Sequence, residues 1–324
     1  MLLTSYWQMD VVCVEAVTLF PVYIAILASI YMNRKKQALF KSPYYTLVLS
    51  QGLADSLTIL TVVNMILARY FHVGNLLLYN IQQYGSASYH ANTPAFLFIV
   101  RMCGIFLITI QRYVVVCWRS SWMNILIDNL HPMILVAIHY TVPCLVYIPA
   151  FLVSDAKFQD TEKLFIINAP NHLQTLSLTV IYSFPVALVL VVFMYASIVR
   201  VLFITRKNGN DSMGQTVLSY NRQRALRNRE VRLAAHVFLL LVMSAGIFTY
   251  YWFEYSMSEN KDDSGQKALR VFYPILSSNF SYINPLTLLA LNKDIQHLLP
   301  CFPPVSQTKT VQVSQQRIQP SNTL

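Results

Sequence analysis

Seven runs of roughly twenty apolar residues succeed one another along this chain, and their spacing leaves few folds open. They cover Val11–Met32, Tyr44–Leu67, Pro94–Cys117, Met133–Val153, Gln174–Ile204, Val231–Tyr255 and Leu269–Leu291. The hydrocarbon core of a bilayer is ~30 Å thick and takes about 20 helical residues to cross. Within it, only a helix or a closed barrel satisfies its own backbone. The expected fold is therefore an all-α membrane protein, a seven-transmembrane helix bundle spanning residues 11–299. An odd number of crossings puts the two termini on opposite faces of the membrane.

Charge assigns the faces. Cytoplasmic loops carry the Lys and Arg excess. The first, third and fifth loops hold Arg34, Lys35, Lys36, Lys41, Arg119, Arg206, Lys207, Arg222, Arg224, Arg227 and Arg229. The other loops hold Arg69, Lys157, Lys163 and Lys261, with Lys267 nearby. This asymmetry predicts an extracellular N-terminus (1–10), a cytoplasmic C-terminus and a multi-pass protein of the plasma membrane. The net charge of +10 is then a topology signal that faces anionic lipids of the inner leaflet, and nucleic acid is not an expected partner. Met1–Asp10 has neither a basic n-region nor a small-residue cleavage site, so the first run is expected to act as an uncleaved insertion signal.

The outer loops reach at most about 26 residues, too short for a folded ectodomain, so recognition is expected inside the bundle or at its mouth. Of the five cysteines, Cys13, Cys103, Cys117 and Cys144 fall within runs, where they read as small apolar filler. No outer loop holds a cysteine to staple it to the third helix. Cys301 follows a short amphipathic stretch, 292–299, and is a candidate for lipidation. Beyond it, residues 300–324 are polar and Pro-bearing and are expected to be a disordered cytoplasmic tail.

An ionisable group at mid-bilayer is expensive and is a functional candidate by default. Asp55 lies eleven residues after Tyr44, and Arg101 lies eleven before Arg112. At ~1.5 Å per residue both stand about 16 Å from the cytoplasmic boundary. The matched depth predicts an Asp55–Arg101 ion pair joined by Asn284, with Ser56 or Ser277 if their faces agree; the alternative is an Arg101 that snorkels or faces a watery cavity alone. Glu15 and Glu254 lie close to an outer boundary and read as interfacial carboxylates. Glu254, however, follows Tyr250, Tyr251, Trp252 and Phe253, a cluster that suits either an interface belt or a pocket wall.

At the cytoplasmic end of the third run stands Gln111-Arg112-Tyr113. A cation there also suits a helix C-terminus and snorkels readily. Arg222–Arg232 contains neither Pro nor Gly and is expected to extend the sixth helix as a basic amphipathic stretch, which either holds the inner leaflet or presents a partner surface.

Taken together, these residues resemble the G-protein-coupled receptor superfamily. The second run carries Leu53-Ala54-Asp55, the third ends in Gln111-Arg112-Tyr113, Pro185 lies in the fifth, and the seventh reads Asn284-Pro285-Leu286-Thr287-Leu288. Each motif is short, but four in the right runs and order make a specific match. Ile108-Thr109-Ile110 before Gln111, Tyr282-Ile283 before Asn284, the short N-terminus and the missing outer cysteines are most similar to nematode serpentine chemoreceptors of the Srg superfamily, Srv class. The resemblance implies a rhodopsin-like bundle and a heterotrimeric G protein contacting Arg112, Tyr113, Arg224 and Arg227. It also implies a switch around Asp55, Arg101, Asn284 and Pro285, a small-molecule cue, and expression on sensory neurons, including their ciliary membrane. The departures are Gln111 in place of an acid, Leu288 in place of a tyrosine, no Pro after the sixth run's aromatics and no Trp in the fourth run. Arg101 stands where the family usually has a small polar residue beside the acid, so sodium regulation is not expected.

The expected pocket lies among the third, fifth, sixth and seventh helices, lined by some of Phe98, Tyr182, Tyr250, Tyr251, Trp252, Glu254 and Tyr273, because a mostly apolar cleft with few polar groups is the usual small-molecule site. Helical spacing keeps Tyr250 and Trp252 from facing the same way. Two other function classes compete. A ligand-gated seven-helix channel of the insect odorant type would keep its N-terminus inside, and a transporter usually shows inverted repeats. No His-Glu-x-x-His or Gly-x-Ser-x-Gly motif suggests an enzyme. No Lys lies inside the seventh run for a retinal Schiff base, and no cofactor or metal is expected.

Overall fold

The computed structural model describes residues 7–118, 121–161, 164, 166–168, 170–210, 217–291 and 293–296. Its helices in chain order are α1 (Trp7–Asn33), α2 (Pro43–Tyr70), α3 (Asn75–Asn80), α4 (Ser86–Cys117), α5 (Trp122–Asn129), α6 (Pro132–Leu152), α7 (Pro170–Asn210), α8 (Val217–Glu259), α9 (Asp263–Arg270), α10 (Tyr273–Leu291) and α11 (Lys293–Gln296). Local chemistry sets several starts. Pro43 and Pro132 occupy first-turn positions, where the missing N–H costs nothing. Ser121 accepts from Met123 N–H and Asp262 from Gly265 N–H as N-caps, satisfying amides that a helix start leaves open. Pro21, Pro94, Pro143, Pro149, Pro185 and Pro285 lie inside helices, as lipid-embedded helices permit.

Among the described residues, six helices are long and apolar enough to cross a bilayer: Trp7–Asn33, Pro43–Tyr70, Ser86–Cys117, Pro132–Leu152, His172–Val201 and Ala235–Glu259. The remaining long helix, α10, is diluted by Ser277, Ser278, Asn279, Ser281 and Asn284. Helices α1, α2, α4, α7, α8 and α10 pack in a closed ring, with α6 outside it against α2, α4 and α7. The apolar stretches of α2 and α4 are mostly buried, whereas those of α1 and α6 mostly face outward. The main apolar core joins α4, α7, α8 and α10 through Phe98, Ile105, Phe184, Ile247, Tyr251 and Phe280.

The third apolar run was expected to open at Pro94, but α4 already begins at Ser86. Residues 86–93 are polar because His90 and Asn92 are buried and hydrogen-bonded, so hydropathy alone understates the helix. Between α6 and α7 the chain forms an antiparallel hairpin, β1 (Ala156–Phe158) with β2 (Ile166–Asn168), pairing Ala156 with Asn168 and Phe158 with Ile166. Phe158 N–H donates to Gln82 Oε1 at 3.0 Å and Ala156 N–H to Ser88 Oγ at 3.4 Å. The hairpin therefore marks one end of the bundle, at the start of α4 and the finish of α2.

Candidate functional site

A file of aromatic and polar side chains runs from the hairpin into the middle of the ring. At its mouth Arg270, the last residue of α9, places Nε 3.3 Å from Glu254 Oε1 and donates through Nη1 to Ile166 O at 3.3 Å. Arg69, at the end of α2, donates to Leu164 O at 3.0 Å. Two guanidinium groups thus tie the hairpin to the helices where no disulfide is available. The N-cap that starts α9 is an exposed carboxylate: Gly265 N–H first, then Ser264 Oγ, hold the Asp262 carboxyl below its ordinary range.

Deeper in, Tyr250 O–H donates to Glu254 at 3.4 Å, its ring lies 5.0 Å from that of Tyr273, and the hydroxyls of Tyr251 and Tyr273 meet at 3.5 Å. Phe98 lies 6.1 Å from each of the Tyr251, Phe184 and Phe280 rings. Glu254 is 5% exposed. It is a buried, paired carboxylate rather than an interfacial one, because α9 brings Arg270 back over it.

At the floor of the file Arg101 is 0% exposed, the largest fully buried side chain among the described residues. Its Cζ lies 4.5 Å from the centroid of the Phe280 ring. Nη1 donates to Ser281 Oγ at 2.8 Å and Ser277 O at 3.3 Å, and Nη2 to Ser277 Oγ at 3.3 Å. Asp55 is held elsewhere: Tyr23 O–H and Asn284 Nδ2 donate to its Oδ2 at 2.7 and 2.9 Å. The expected direct Asp55–Arg101 pair is therefore not formed. The two charges attract each other, but each has its own partners on α10.

The reason is the lean of side chains toward the N-terminus of their own helix. Helix α4 begins at the hairpin end, so Arg101 points that way. Helix α2 begins at the opposite end, so Asp55 points away from Arg101. Residues Ser277, Ser281 and Asn284, at i, i+4 and i+7, form one polar stripe on α10 that reaches both charges.

At the far end of the bundle Arg112 is 7% exposed, with Cζ 3.9 Å from the centroid of the Tyr44 ring on α2. Tyr113 lies half-buried with its ring 6.5 Å from Trp118. Nearby, His236 of α8 is hydrogen-bonded to Thr287 of α10, and Arg232 Nη1 donates to Leu291 O at 3.4 Å. Arg224 and Arg227 belong to α8, but their side chains lie outside the described residues, as do Cys301 and the tail.

Residues 12–301 match the family model described as serpentine type 7TM GPCR chemoreceptor Srv. The chain belongs to that family. A comparison with curated proteins finds no match. Srv membership and the six apolar helices make this a multi-pass membrane protein of a chemoreceptor family rather than of an enzyme family.

Within this Srv chain, the anticipated pocket residues divide. Phe98, Tyr250, Tyr251, Glu254 and Tyr273 share the file, whereas Tyr182 and Trp252 are 72% and 53% exposed on the outer surface of the ring. Pro285 is buried in α10 next to Asn284. Three further groups are inconspicuous in the sequence. Arg270 was absorbed into the seventh apolar run. Asn92 accepts from Tyr147 O–H at 3.1 Å and His172 Nε2 at 3.0 Å and donates to Ser154 Oγ at 2.7 Å, joining α4, α6 and α7. His139 of α6 meets Ser50 Oγ at 2.7 Å and Val100 O at 3.0 Å. Because a carbonyl only accepts, His139 carries its proton on Nε2 and accepts from Ser50. For His139 the available signal was a polar residue inside an otherwise apolar run, whereas Asn92 stands in the polar stretch before Pro94.

Proposed function

We propose that this protein is a chemosensory G-protein-coupled receptor with a rhodopsin-like, seven-crossing bundle in the plasma membrane. The hairpin end faces outward and the C-terminus lies inside, on sensory neurons and their cilia. Helix α10 serves as the seventh crossing. Its 19 residues reach ~28 Å, and its polar groups are spent on Arg101, Asp55 and Glu15, whose Oε2 accepts from Ser278 at 2.5 Å. A small molecule binds among Phe98, Tyr250, Tyr251, Tyr273 and Glu254 and shifts a two-state helix arrangement. Arg112 and Tyr113, with Arg224 and Arg227 on the α8 extension, then meet a heterotrimeric G protein. Lys and Arg on the cytoplasmic side hold membrane lipids, and Cys301 carries a lipid anchor.

One observation carries this reading. In a chain of the chemoreceptor family, the file from the hairpin ends on α10, the helix that also holds Asp55 and touches α8 near the opposite end through His236–Thr287. A ligand at the mouth therefore acts on a helix that borders both ends.

The test is expression in cells carrying a G-protein reporter, challenged with a panel of volatile and water-soluble compounds while whole-cell current is recorded. A G-protein response without a gated current is expected. Current without G-protein activation would assign a channel instead. An epitope before Met1 should label intact cells, and one after Leu324 should need permeabilisation.

A further inference from the structure

Among the charges of the file, Glu254 has Arg270, whereas Asp55 and Arg101 hold only neutral partners directly: Asp55 has Tyr23 and Asn284, and among the described residues no carboxylate lies within ion-pair distance of the Arg101 guanidinium. Its partners are one serine carbonyl, two serine hydroxyls and an aromatic face, and buried Nε makes no hydrogen bond. A cation taken out of water is costly unless it is paired and hydrogen-bonded. Keeping one here for structure alone is a poor solution, since an apolar residue would fill the same space. Guanidinium is the side chain best suited to a planar, two-pronged grip on a carboxylate.

The direction of approach is also fixed. Asp55 and Asn284 close the side toward the far end of the bundle, and Arg101 leans toward the hairpin, where the rings of Phe98, Tyr251, Tyr273 and Phe280 lie together. Farther out, Arg69 stands at the mouth on the carbonyl of Leu164, and Arg270 is paired with Glu254.

We propose, building on the receptor reading above, that the cue is a small organic acid whose carboxylate docks on Arg101 while its apolar body lies against Phe98, Tyr251 and Phe280. The ligand supplies the direct carboxylate contact that Asp55, held by Tyr23 and Asn284, does not make. Binding would then draw on the desolvation already imposed on Arg101, and neutral analogues would lose that gain.

The test uses hexanoate, octanoate, benzoate and phenylacetate against their methyl esters. Thermal unfolding of the full chain in lipid nanodiscs reports binding, and the G-protein reporter reports activation. At least one acid is expected to raise the unfolding temperature where its ester does not, and R101Q should weaken that acid by about 30-fold or more, the usual scale for truncating one side of a buried charge pair. R101K, which keeps the charge and loses the fork, should fall between. If R101Q does not fold, Phe280→Leu removes only the stacking platform and should still weaken the acid. Equal effects of acid and ester, an R101Q protein that binds the acid normally, or no effect of any acid each overturn the proposal. Activation by neutral compounds that survives in R101Q would overturn it while leaving the receptor reading intact.

Discussion

Arg112 cannot meet a partner from where it stands. It is 7% exposed and its guanidinium covers the Tyr44 ring at 3.9 Å, so contact with a G protein requires it to leave that ring. In the receptor reading proposed above, Tyr44 stands in for the acid that position 111 lacks and favours the non-signalling arrangement. A desolvated cation–π contact is worth ~2 kcal/mol and an exposed one about 0.5–1; this one, buried but close to an interface, belongs near 1–2. Tyr44→Leu keeps apolar bulk and removes the aromatic face. If the contact exists only in the closed arrangement, that change raises the signalling population by about 5- to 30-fold. Tyr44→Phe keeps the face and should stay close to wild type. The assay is ligand-free G-protein activation, normalised to surface level. Unchanged basal activity in Tyr44→Leu, or the same rise in Tyr44→Phe, would refute the argument.

Other substitutions follow from the same geometry. A Cβ on Gly104 would lie 1.9 Å from Gln51 Oε1 and 2.7 Å from His139 Nε2, and His139 is pinned by two hydrogen bonds; Gly104→Ala should cost about 1–3 kcal/mol and lower the unfolding temperature. Gly52→Ala, which meets only the flexible end of Leu27, should cost less. Asp55→Asn keeps an oxygen for Tyr23 and Asn284, whereas Asp55→Ala strands both donors at about 1–3 kcal/mol, so surface expression should fall further in the second. Swapping the charges with Asp55→Arg and Arg101→Asp should not restore expression, because the two side chains have separate partners, and full recovery would show that they pair directly. For any agonist found in the panel, Phe98→Ala and Tyr251→Ala should shift potency, while Tyr182→Ala and Trp252→Ala should match wild type in the same dose series.

How far a sequence reaches here depends on which solvent each face meets. In a soluble helix the core face is apolar and the other polar, so orientation is written in the pattern. In lipid both faces are apolar, and Tyr182 and Phe184, two residues apart on α7, look equally fit for a pocket although one is on the ring's surface and the other in its core. Polar residues break that degeneracy. Ser277, Ser281 and Asn284 could have been read as one stripe from their spacing alone, and that stripe is what organises the charges. Family motifs supplied membership, since Asp55, Gln111-Arg112-Tyr113 and Asn284-Pro285 fall in the right runs and order.

Counting residues along a helix locates a Cα and not the end of its side chain. Asp55 and Arg101 were placed level by equal offsets, but in antiparallel helices side chains lean in opposite directions, and the error grows with side-chain length, so arginine suffers most. The hairpin escaped notice for a different reason. Two strands of three residues carry no period to read, and what holds them, Arg69 and Arg270 on carbonyls of Leu164 and Ile166, depends on tertiary placement of residues more than 90 positions away in sequence. The departures from the family pattern have the same physical origin. Beside Gln111, Arg112 lies against Tyr44 of another helix, and where no outer loop holds a cysteine two guanidinium groups tie the hairpin to the helices. Both contacts come from side chains that only the packed bundle brings together.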